Sequence, residues 1–480
     1  MSATALPGAR RIAGAADAIA VQDEALLAAA MAMLLALVIG LALAGAGTAA
    51  RAAFMLSALA IAVLAKRRSP WLYLSATLWI WLTTAFVRRI IEWHGGFNPI
   101  DIVLATPSLA AMPIVPDMLA CRGLLARRGV GYALLPFGCV LYGLFVSFVR
   151  GDLLAGCLAA VDWVVPLLYL FLFICHAERI GQAEAHVLSF LTLGLAFVVP
   201  YSLYQYFVMP DWDAAWMIAS GMDSLGRPLP MEARVFGPLN QPGFLAVWLA
   251  TCLVLLSHFR NRLLTAMTPL LFLLLAVTMV RSVYGSLALA VAVGALLGRG
   301  GFGRHVALIL VAGVGVYVGV AALDPIALDR IAARLQTLQH LDADGSAASR
   351  EAIYAATPRL LNDNPLGTGI GAQGRGATTR HGSADNVDSG PLSVLLALGW
   401  FAGPLYLFGI LLLQARALLI GRRSGSRVAS VMAAAAICPL GTFPFLNVLG
   451  FNATVLWICL GYPLAVEIHA TARACAPAPR

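Results

Sequence analysis

Long apolar blocks, separated by short polar connections, run along almost the whole chain. A helix of about 20 apolar residues crosses a hydrocarbon core of about 30 Å, and most of these blocks approach that length. The pattern therefore predicts an all-α polytopic membrane protein with about 12–14 transmembrane helices and a large, partly helical periplasmic loop. The apolar blocks lie at about residues 26–45, 50–65, 71–88, 99–118, 130–149, 152–174, 186–207, 241–258, 263–280, 282–298, 304–322, 390–414, 428–446 and 450–468.

One apolar stretch is too long for a single span. Residues 263–298 would form a helix about 54 Å long, which is nearly twice the thickness of the hydrocarbon core. Arg281 interrupts this stretch near its middle. We therefore expect two spans joined by a turn at Arg281, with the guanidinium at a membrane edge.

The composition excludes a soluble fold and decides how the positive charge is interpreted. Of the 480 residues, 61% are hydrophobic and only 11% are charged. The formal net charge is +9, and Lys66 is the only lysine, so arginine supplies nearly all of the positive charge. Most of these arginines lie between the spans, where they set the orientation and contact anionic lipids. We therefore expect anionic lipids, and no nucleic acid, as partners.

The distribution of the arginines predicts the orientation of the chain. A cytoplasmic N-terminus places basic segments such as Lys66–Arg68 on the inside, as the positive-inside rule requires. Residues 1–25 are then a cytoplasmic tail, and residues 26–480 form a single transmembrane domain. The two longest polar segments, 208–240 and 323–388, face the periplasm.

Several arginines at the outer membrane edge are candidates for binding an anion. Arg88 and Arg89 follow the third span, although snorkelling to lipid phosphate is an alternative explanation for them. Arg234 precedes a helix predicted to begin at Pro242, and a helix N-terminus beside an arginine suits phosphate. An ordinary loop and helix cap is the alternative there. Arg281 needs a partner, because an arginine at the centre of a bilayer costs about 2.5–3.5 kcal/mol.

The polar part of the segment from Arg350 to Gly403 contains the candidate catalytic bases. His381 is the only histidine in this segment, and an imidazole can accept a proton from a sugar hydroxyl. Asp385 and Asp388 are alternative bases. The competing explanation for all three is an ordinary solvated loop.

The motifs of common cofactors are missing or misleading in this chain. Gly369-Ile-Gly371-Ala-Gln-Gly374 fits the dinucleotide pattern G-x-G-x-x-G, but no β-α-β unit surrounds it. We expect these glycines to allow tight turns and close backbone approach instead. Because metal-binding and P-loop signatures are also missing, we expect no cofactor and no metal.

Several of these segments resemble parts of the O-antigen ligase and polysaccharide polymerase superfamily. Arg234-x-Phe-Gly-x-Leu-Asn-Gln-Pro-Gly is similar to a segment that opens a span in that family, and Arg281-Ser282 is similar to its arginine turn. Arg350, followed by Asn364-Pro-Leu-Gly-Thr-Gly-Ile-Gly371, resembles its glycine loop. The order and spacing of the segments, rather than any single motif, carry the resemblance.

The resemblance implies a multispan glycosyltransferase that works without a metal. Such enzymes take a glycan from an undecaprenyl diphosphate carrier and join it to an acceptor glycan or to the lipid A core. The reaction takes place on the periplasmic face of the bacterial inner membrane. The arginines that the resemblance places at the diphosphate are Arg88, Arg89, Arg234, Arg281 and Arg350.

The resemblance also implies a catalytic role for the loop histidine. In the family an asparagine usually follows this histidine directly, whereas His381 lies five residues before Asn386. Asp385 and Asp388 therefore stay alternatives for the base. The remaining residues expected to contact the substrate are Asn240, Arg380 and Asn386.

Three functions stay open after this reading. A polymerase of exopolysaccharide or O-antigen repeat units is favoured, with a flippase and a chain-length regulator as further expected partners. An O-antigen ligase would use the same site. A secondary transporter is the alternative from another class, but transporters place charges near the membrane midplane, and the unexplained charges here lie at the outer edge.

Overall fold

The structure is a computed structural model that describes residues 7–121, 123, 131–297, 345–372, 389–447 and 449–474. Within these ranges the chain is almost entirely helical, and the one β contact there is an isolated antiparallel bridge between Gly226 and Ala233. The predicted all-α class is therefore confirmed for the described part of the chain. In chain order the α-helices are α1 (Pro7–Leu43), α2 (Gly47–Arg68), α3 (Pro70–Gly95), α4 (Thr106–Ala111), α5 (Ile114–Ala120), α6 (Leu134–Val149), α7 (Leu153–Cys175), α8 (Ala183–Val208), α9 (Asp211–Ser220), α10 (Pro242–Leu255), α11 (Arg262–Val277), α12 (Arg281–Leu296), α13 (Gly345–Asp363), α14 (Gly390–Arg423), α15 (Arg427–Ala435), α16 (Ile437–Thr442) and α17 (Gly450–Ala474).

Nine helical segments in the described ranges are long and apolar enough to cross a membrane. Four shorter apolar helices accompany them. Together they match the predicted apolar blocks one for one, except the block at 304–322, which lies outside the described residues. The prediction of a multi-pass membrane protein is thus confirmed. The nine segments are Ala18–Leu43, Gly47–Arg68, Pro70–Gly95, Ile102–Ala120, Gly131–Val149, Leu153–Cys175, Ala177–Val208, Gly390–Arg423 and Gly450–Ala474.

The long apolar stretch at 263–298 is divided into two helices, as predicted. Helix α11 ends at Val277 and helix α12 begins at Arg281. The turn between them contains Met279, whose φ of 55° is outside the helical region. Helix α10 begins at Pro242, which also confirms the predicted helix start.

The described helices form two compact units. The first comprises Met1–Pro113, His176–Leu245 and Phe259–Met267. Helix α3 is its central element, because it packs against α1, α2, α4, α8 and α9 and is buried along its membrane-spanning window. The Ser69 side chain caps its N-terminus by accepting a hydrogen bond from Trp71 N at 3.2 Å.

The N-terminal helix reaches further back than the predicted membrane span. Residues 7–25, which we assigned to a cytoplasmic tail, continue the same helix as the span. Glu24 in this part is fully buried in the first unit. Its Oε1 atom accepts a hydrogen bond from Ser75 Oγ at 2.6 Å and lies 2.8 Å from His186 Nδ1.

The second unit comprises Ile114–Cys175, Ala246–His258 and Thr268–Arg480. Within it, α7 packs against α17, α6 packs against α14, and α12 packs against α16. Helix α14 is interrupted at Gly399, where φ is 72° and ψ is −170°. This interruption opens the helix backbone to hydrogen bonds from another segment.

Candidate functional site

The last turns of helix α3 present two adjacent arginines with different surroundings. Arg88 is largely satisfied by nearby residues, because its Nε donates to Glu92 Oε1 at 2.8 Å and its Nη2 donates to Asn98 O at 2.5 Å. The guanidinium also lies over the Phe97 ring, 5.3 Å from its centroid. Glu92 in turn accepts from Asn98 N at 3.1 Å. Arg88 therefore stabilises the turn that follows α3.

Arg89, the next residue, lies in a fully buried ion pair within the first unit. Its Nε donates to Asp213 Oδ1 at 2.7 Å, and both side chains are 0% exposed. Asp213 lies on helix α9, 124 positions further along the chain. Because an uncompensated buried charge is strongly destabilising, each of these two residues requires the other.

The remaining donors of Arg89 bind a turn that lies before helix α10. Its Nη1 donates to Leu239 O at 2.7 Å and to Asn240 Oδ1 at 3.2 Å, and its Nη2 donates to Gly237 O at 2.7 Å. These bonds use the planar fork of the guanidinium, which an ammonium group does not reproduce. Arg89 thus connects helices α3 and α9 to the turn at residues 236–240.

Two residues on one face of helix α8 complete this network. Tyr201 OH donates to Asp213 Oδ2 at 2.8 Å, and Gln205 Nε2 donates to the same oxygen. Gln205 Oε1 accepts from Phe236 N at 2.9 Å and from Gly237 N at 2.8 Å. We call Arg89, Tyr201, Gln205 and Asp213 the arginine clamp, because together they fix both sides of the turn.

Apolar packing and a glycine reinforce the arginine clamp. The Arg89 guanidinium lies 5.0 Å from the centroid of the Phe236 ring and 5.8 Å from that of Trp216. Gly237 has a φ of 57°, and a Cβ at this position would come closer than 3.0 Å to Ser202 Oγ. Gly237 therefore suits this turn both by its φ and by its lack of a side chain.

Arg234 lies just before the clamped turn and is partly exposed. Its backbone N donates to Leu225 O at 2.8 Å, and its Nη1 donates to Ser224 O at 3.0 Å. The bridge between Gly226 and Ala233 holds the same region. Arg234 is therefore attached to an ordered segment, with part of its side chain accessible.

Arg281 is the first residue of helix α12 and is also partly exposed. A helix N-terminus carries a partial positive charge and has backbone N–H groups without partners inside the helix. An arginine at this position adds a full charge to the same end. The combination suits a phosphate oxygen, and the predicted role of Arg281 in binding an anion stays a prediction.

The predicted glycine loop at residues 364–371 packs against the interruption in helix α14. Thr368 N donates to Leu396 O at 2.8 Å, and Gly369 N donates to Ala397 O at 2.9 Å. In the opposite direction, Trp400 N donates to Pro365 O at 2.9 Å. The loop and the open turn of the helix thus satisfy each other's backbone groups, which a membrane-embedded helix break requires.

This contact depends on the absence of side chains. A Cβ at Gly367 would come closer than 3.0 Å to Ala397 O, and a Cβ at Gly399 would come equally close to Pro365 O. Both residues also have positive φ values, 87° and 72°. The same holds for two of the three glycines for which close backbone approach was predicted, because a Cβ at Gly369 would come closer than 3.0 Å to Ser147 N and a Cβ at Gly371 equally close to Gly156 N. The third, Gly374, lies outside the described residues.

Helix α6 holds the other side of the glycine loop. Ser147 Oγ accepts from Gly371 N at 3.0 Å, and Tyr142 OH donates to Leu366 O at 2.9 Å. Arg150 Nη2 donates to Asn364 Oδ1 at 2.9 Å near the surface. The loop is therefore attached at both ends and in its middle.

The predicted catalytic residues belong to a segment of the sequence whose flanking residues are described. The segment from residue 373 to residue 388 follows the glycine loop and precedes Ser389, whose Oγ lies 3.2 Å from Tyr354 OH. Gly390 N donates to Phe443 O at 3.0 Å at the start of α14. Five predicted site residues lie outside the described residues, namely Arg380, His381, Asp385, Asn386 and Asp388.

The other predicted site residues differ in their contacts. Arg89 and Asn240 are in direct contact, whereas Arg88 is paired with Glu92. The backbone of Arg350 belongs to helix α13, and its side chain lies outside the described part. The predicted roles of these residues in binding stay predictions.

Sequence reasoning missed the partners of Arg89. Asp213, Tyr201 and Gln205 were not identified, although Tyr201 and Gln205 are spaced i, i+4 and therefore share one face of a helix. Ser147, in helix α6, was missed as well. A polar pair at helical spacing inside an apolar block is the signal that points to such a buried network.

Comparison with known proteins leaves the family open. The chain matches no protein-family model, no curated protein and no solved structure. In the part of the chain that the structure describes, no group of three or more His, Cys, Asp or Glu residues is arranged to hold a metal ion.

Proposed function

We propose that the protein is a glycosyltransferase that uses a glycan linked to undecaprenyl diphosphate. It joins this glycan to an acceptor sugar hydroxyl on the periplasmic face of the bacterial inner membrane, without a metal. The favoured activity is polymerisation of exopolysaccharide or O-antigen repeat units. Transfer of a glycan to the lipid A core by an O-antigen ligase requires the same chemistry and is the nearest alternative.

The observation that carries this proposal is the ordering of the two loops in which the sequence resembles the transferase family. Arg234 lies just before the turn at residues 236–240, Asn240 is the last residue of that turn, and the arginine clamp fixes it. The glycine loop is held by helix α6 and by the break in α14. Rigid support of a polar loop is what a preorganised binding site requires, whereas an ordinary connecting loop has no such need.

The proposed reaction needs positive charge and a base. The acceptor oxygen attacks the anomeric carbon of the donor sugar, and the bond from that carbon to the phosphate oxygen breaks. Undecaprenyl diphosphate leaves with the bonding electrons, and the resemblance assigns the stabilisation of its developing charge to arginines such as Arg234 and Arg281. The proton of the acceptor hydroxyl goes to His381, Asp385 or Asp388.

Replacing the partly exposed arginines tests the proposal. We expect Arg234→Ala and Arg281→Ala each to reduce polymer formation in cells by about 100-fold or more, because they remove charge from the leaving group. Arg227→Ala is the matched control, since Arg227 lies in the same polar segment and is 79% exposed. Its ion pair with Glu232 is weak, because it is at the surface and 3.7 Å separate Nη1 from Oε2. Membrane insertion is followed by immunoblotting. Normal chain lengths in both variants would remove the diphosphate role.

A deletion strain separates the polymerase from the ligase. Loss of a polymerase leaves single repeat units on the lipid carrier. Loss of a ligase leaves long chains on the same carrier. Analysis of the carrier-linked glycans by mass spectrometry distinguishes the two results.

A secondary transporter is a second candidate, because two observations favour it. The interruption of helix α14 at Gly399 and the buried pair of Glu24 and His186 are features that transporters use. Solute uptake into proteoliposomes tests this candidate. Uptake that depends on a proton gradient and is lost in Glu24→Gln would favour transport over transfer.

A further inference from the structure

The contact between Arg89 and Asn240 fixes the orientation of an amide. A guanidinium only donates hydrogen bonds, so Arg89 Nη1 must be bonded to the oxygen of the Asn240 side chain. The distance from Nη1 to Oδ1 is 3.2 Å. Because the amide is planar, its nitrogen then lies on the edge that faces away from Arg89. The clamp therefore determines that Nδ2, and not Oδ1, is the atom of the Asn240 amide that points away from Arg89.

The position of Asn240 makes this orientation useful. Leu239, the preceding residue, is only 3% exposed, whereas Asn240 is partly exposed. Within the part of the chain that the structure describes, Asn240 Nδ2 donates to no protein acceptor. An amide nitrogen that is fixed and accessible can donate to an oxygen atom of a ligand.

The same contacts leave Arg89 little capacity to bind a ligand itself. All three of its nitrogen atoms already donate to protein oxygens, and its side chain is 0% exposed. A phosphate could reach Arg89 only by displacing Asp213 or the carbonyl groups of the turn. Arg89 is thus better suited to hold Asn240 than to contact the substrate.

We propose that Arg89 is a positioning residue, held by Asp213, and that it turns Asn240 so that Nδ2 donates a hydrogen bond to an oxygen of the substrate. This assignment rests on the proposed transferase function. The oxygen belongs either to the diphosphate or to the neighbouring sugar, and both are hydrogen-bond acceptors. Arg234, six residues earlier in the same ordered segment, supplies the charge that Arg89 cannot.

Two substitutions separate the donor from its support. Asn240→Asp retains the oxygen that accepts from Arg89 and removes the donor, so the turn should stay closed while transfer falls. Asp213→Asn removes the charge that holds Arg89, so the turn should open and transfer should be lost. Glu232→Gln is the control, because Glu232 lies in the same polar segment and its carboxylate is 3.7 Å from the exposed Arg227.

A cysteine reporter measures the turn independently of activity. Leu239→Cys is introduced together with Cys157→Ser, which removes an exposed natural thiol, and labelling by a membrane-impermeant maleimide is followed over time. We expect slow labelling in this parent, in Asn240→Asp and in Glu232→Gln. In Asp213→Asn we expect the rate to rise about tenfold or more. If Asp213→Asn does not accumulate, Tyr201→Phe removes one bond to Asp213 and should raise the rate about threefold.

Transfer is measured in the same variants with purified protein and glycan-loaded carrier. The proposal expects the rate of transfer in Asn240→Asp to fall by about tenfold or more while the turn stays closed. Transfer at the parental rate in Asn240→Asp would overturn the donor role. Slow labelling together with normal transfer in Asp213→Asn, or in Tyr201→Phe if that variant replaces it, would overturn the positioning role.

A competition experiment identifies the oxygen. Undecaprenyl diphosphate without sugar is used as an inhibitor of transfer in the parent and in Asn240→Asp. Weaker inhibition in Asn240→Asp assigns the bond to a phosphate oxygen, and equal inhibition with a raised KM for the loaded carrier assigns it to a sugar oxygen. No change in either quantity would overturn the bond. If the protein shows no transfer at all, the labelling results still decide whether the clamp holds the turn.

Discussion

The turn at residues 236–240 and the glycine loop at residues 364–371 are both held rigidly, but by opposite means. The turn is held by buried side chains, with a charged pair at the centre and four backbone groups bonded to Arg89 and Gln205. The glycine loop is held chiefly by backbone groups that approach a broken helix where side chains are missing. Both arrangements satisfy polar groups that a membrane protein cannot leave exposed to lipid.

The difference predicts different weaknesses. A charged clamp fails when one charge is removed, because the other charge stays buried without a partner. The backbone contact between the glycine loop and the broken helix fails when a side chain is added at one of its glycines. The turn in the first unit is therefore sensitive to the removal of a charge. The glycine loop in the second unit is sensitive to the addition of a side chain.

The largest effect is expected from separating the buried ion pair. Arg89→Met and Asp213→Leu should each destabilise the first unit by about 3–5 kcal/mol, because each leaves a buried charge unpaired. The double variant should recover part of this loss. The recovery is incomplete because Gly237 O and Leu239 O still lack their donor. Thermal unfolding in detergent measures the stability of the two single variants and the double variant. Equal unfolding temperatures for the parent and the single variants would contradict the account.

A somewhat smaller effect is expected from adding a methyl group to the glycine loop. Gly367→Ala or Gly399→Ala should destabilise the second unit by about 2–4 kcal/mol, because the new Cβ meets backbone atoms and the residue has a positive φ.

Gly138 provides a control for the glycine substitutions in the neighbouring helix α6, since a Cβ there meets nothing within 4 Å. Gly138→Ala should leave stability unchanged or raise it by about 0.5–1 kcal/mol. Similar unfolding temperatures for Gly138→Ala, Gly367→Ala and Gly399→Ala would show that the close approach is unimportant.

The smallest effect is expected at the surface of the glycine loop. Arg150→Ala removes an exposed hydrogen bond to Asn364 and should cost less than about 1 kcal/mol. Ser147→Ala, by contrast, leaves the buried Gly371 N–H without an acceptor and should cost about 1–3 kcal/mol. An equal loss in both variants would mean that burial does not govern these bonds.

Much of the fold followed from the sequence because apolar blocks define membrane helices without reference to the rest of the chain. The helix start at Pro242 and the division at Arg281 were predicted from local features. The close approach at Gly369 and Gly371 was also predicted, although its partners, Ser147 and Gly156, were not. Local patterns thus indicated where the backbone is unusual but not what it contacts.

The arginine clamp could not be predicted in the same way. Arg89 and Asp213 are 124 positions apart, and nothing in either local segment indicates the other. For this reason the sequence suggested lipid or diphosphate as the partner of Arg89, whereas the structure gives it a carboxylate. The buried helical extension through Glu24 was missed similarly, because Asp23 and Glu24 resemble the polar end of a tail.

Reconstituted transfer tests the central claim most directly. The purified protein is placed in liposomes with an undecaprenyl diphosphate-linked glycan, an acceptor glycan and a chelator of divalent metals. The account predicts that one undecaprenyl diphosphate is released for each glycosidic bond formed, and that Arg234→Ala combined with Arg281→Ala abolishes both. A correctly inserted protein that releases no carrier and forms no bond, or a double variant that works normally, would contradict it.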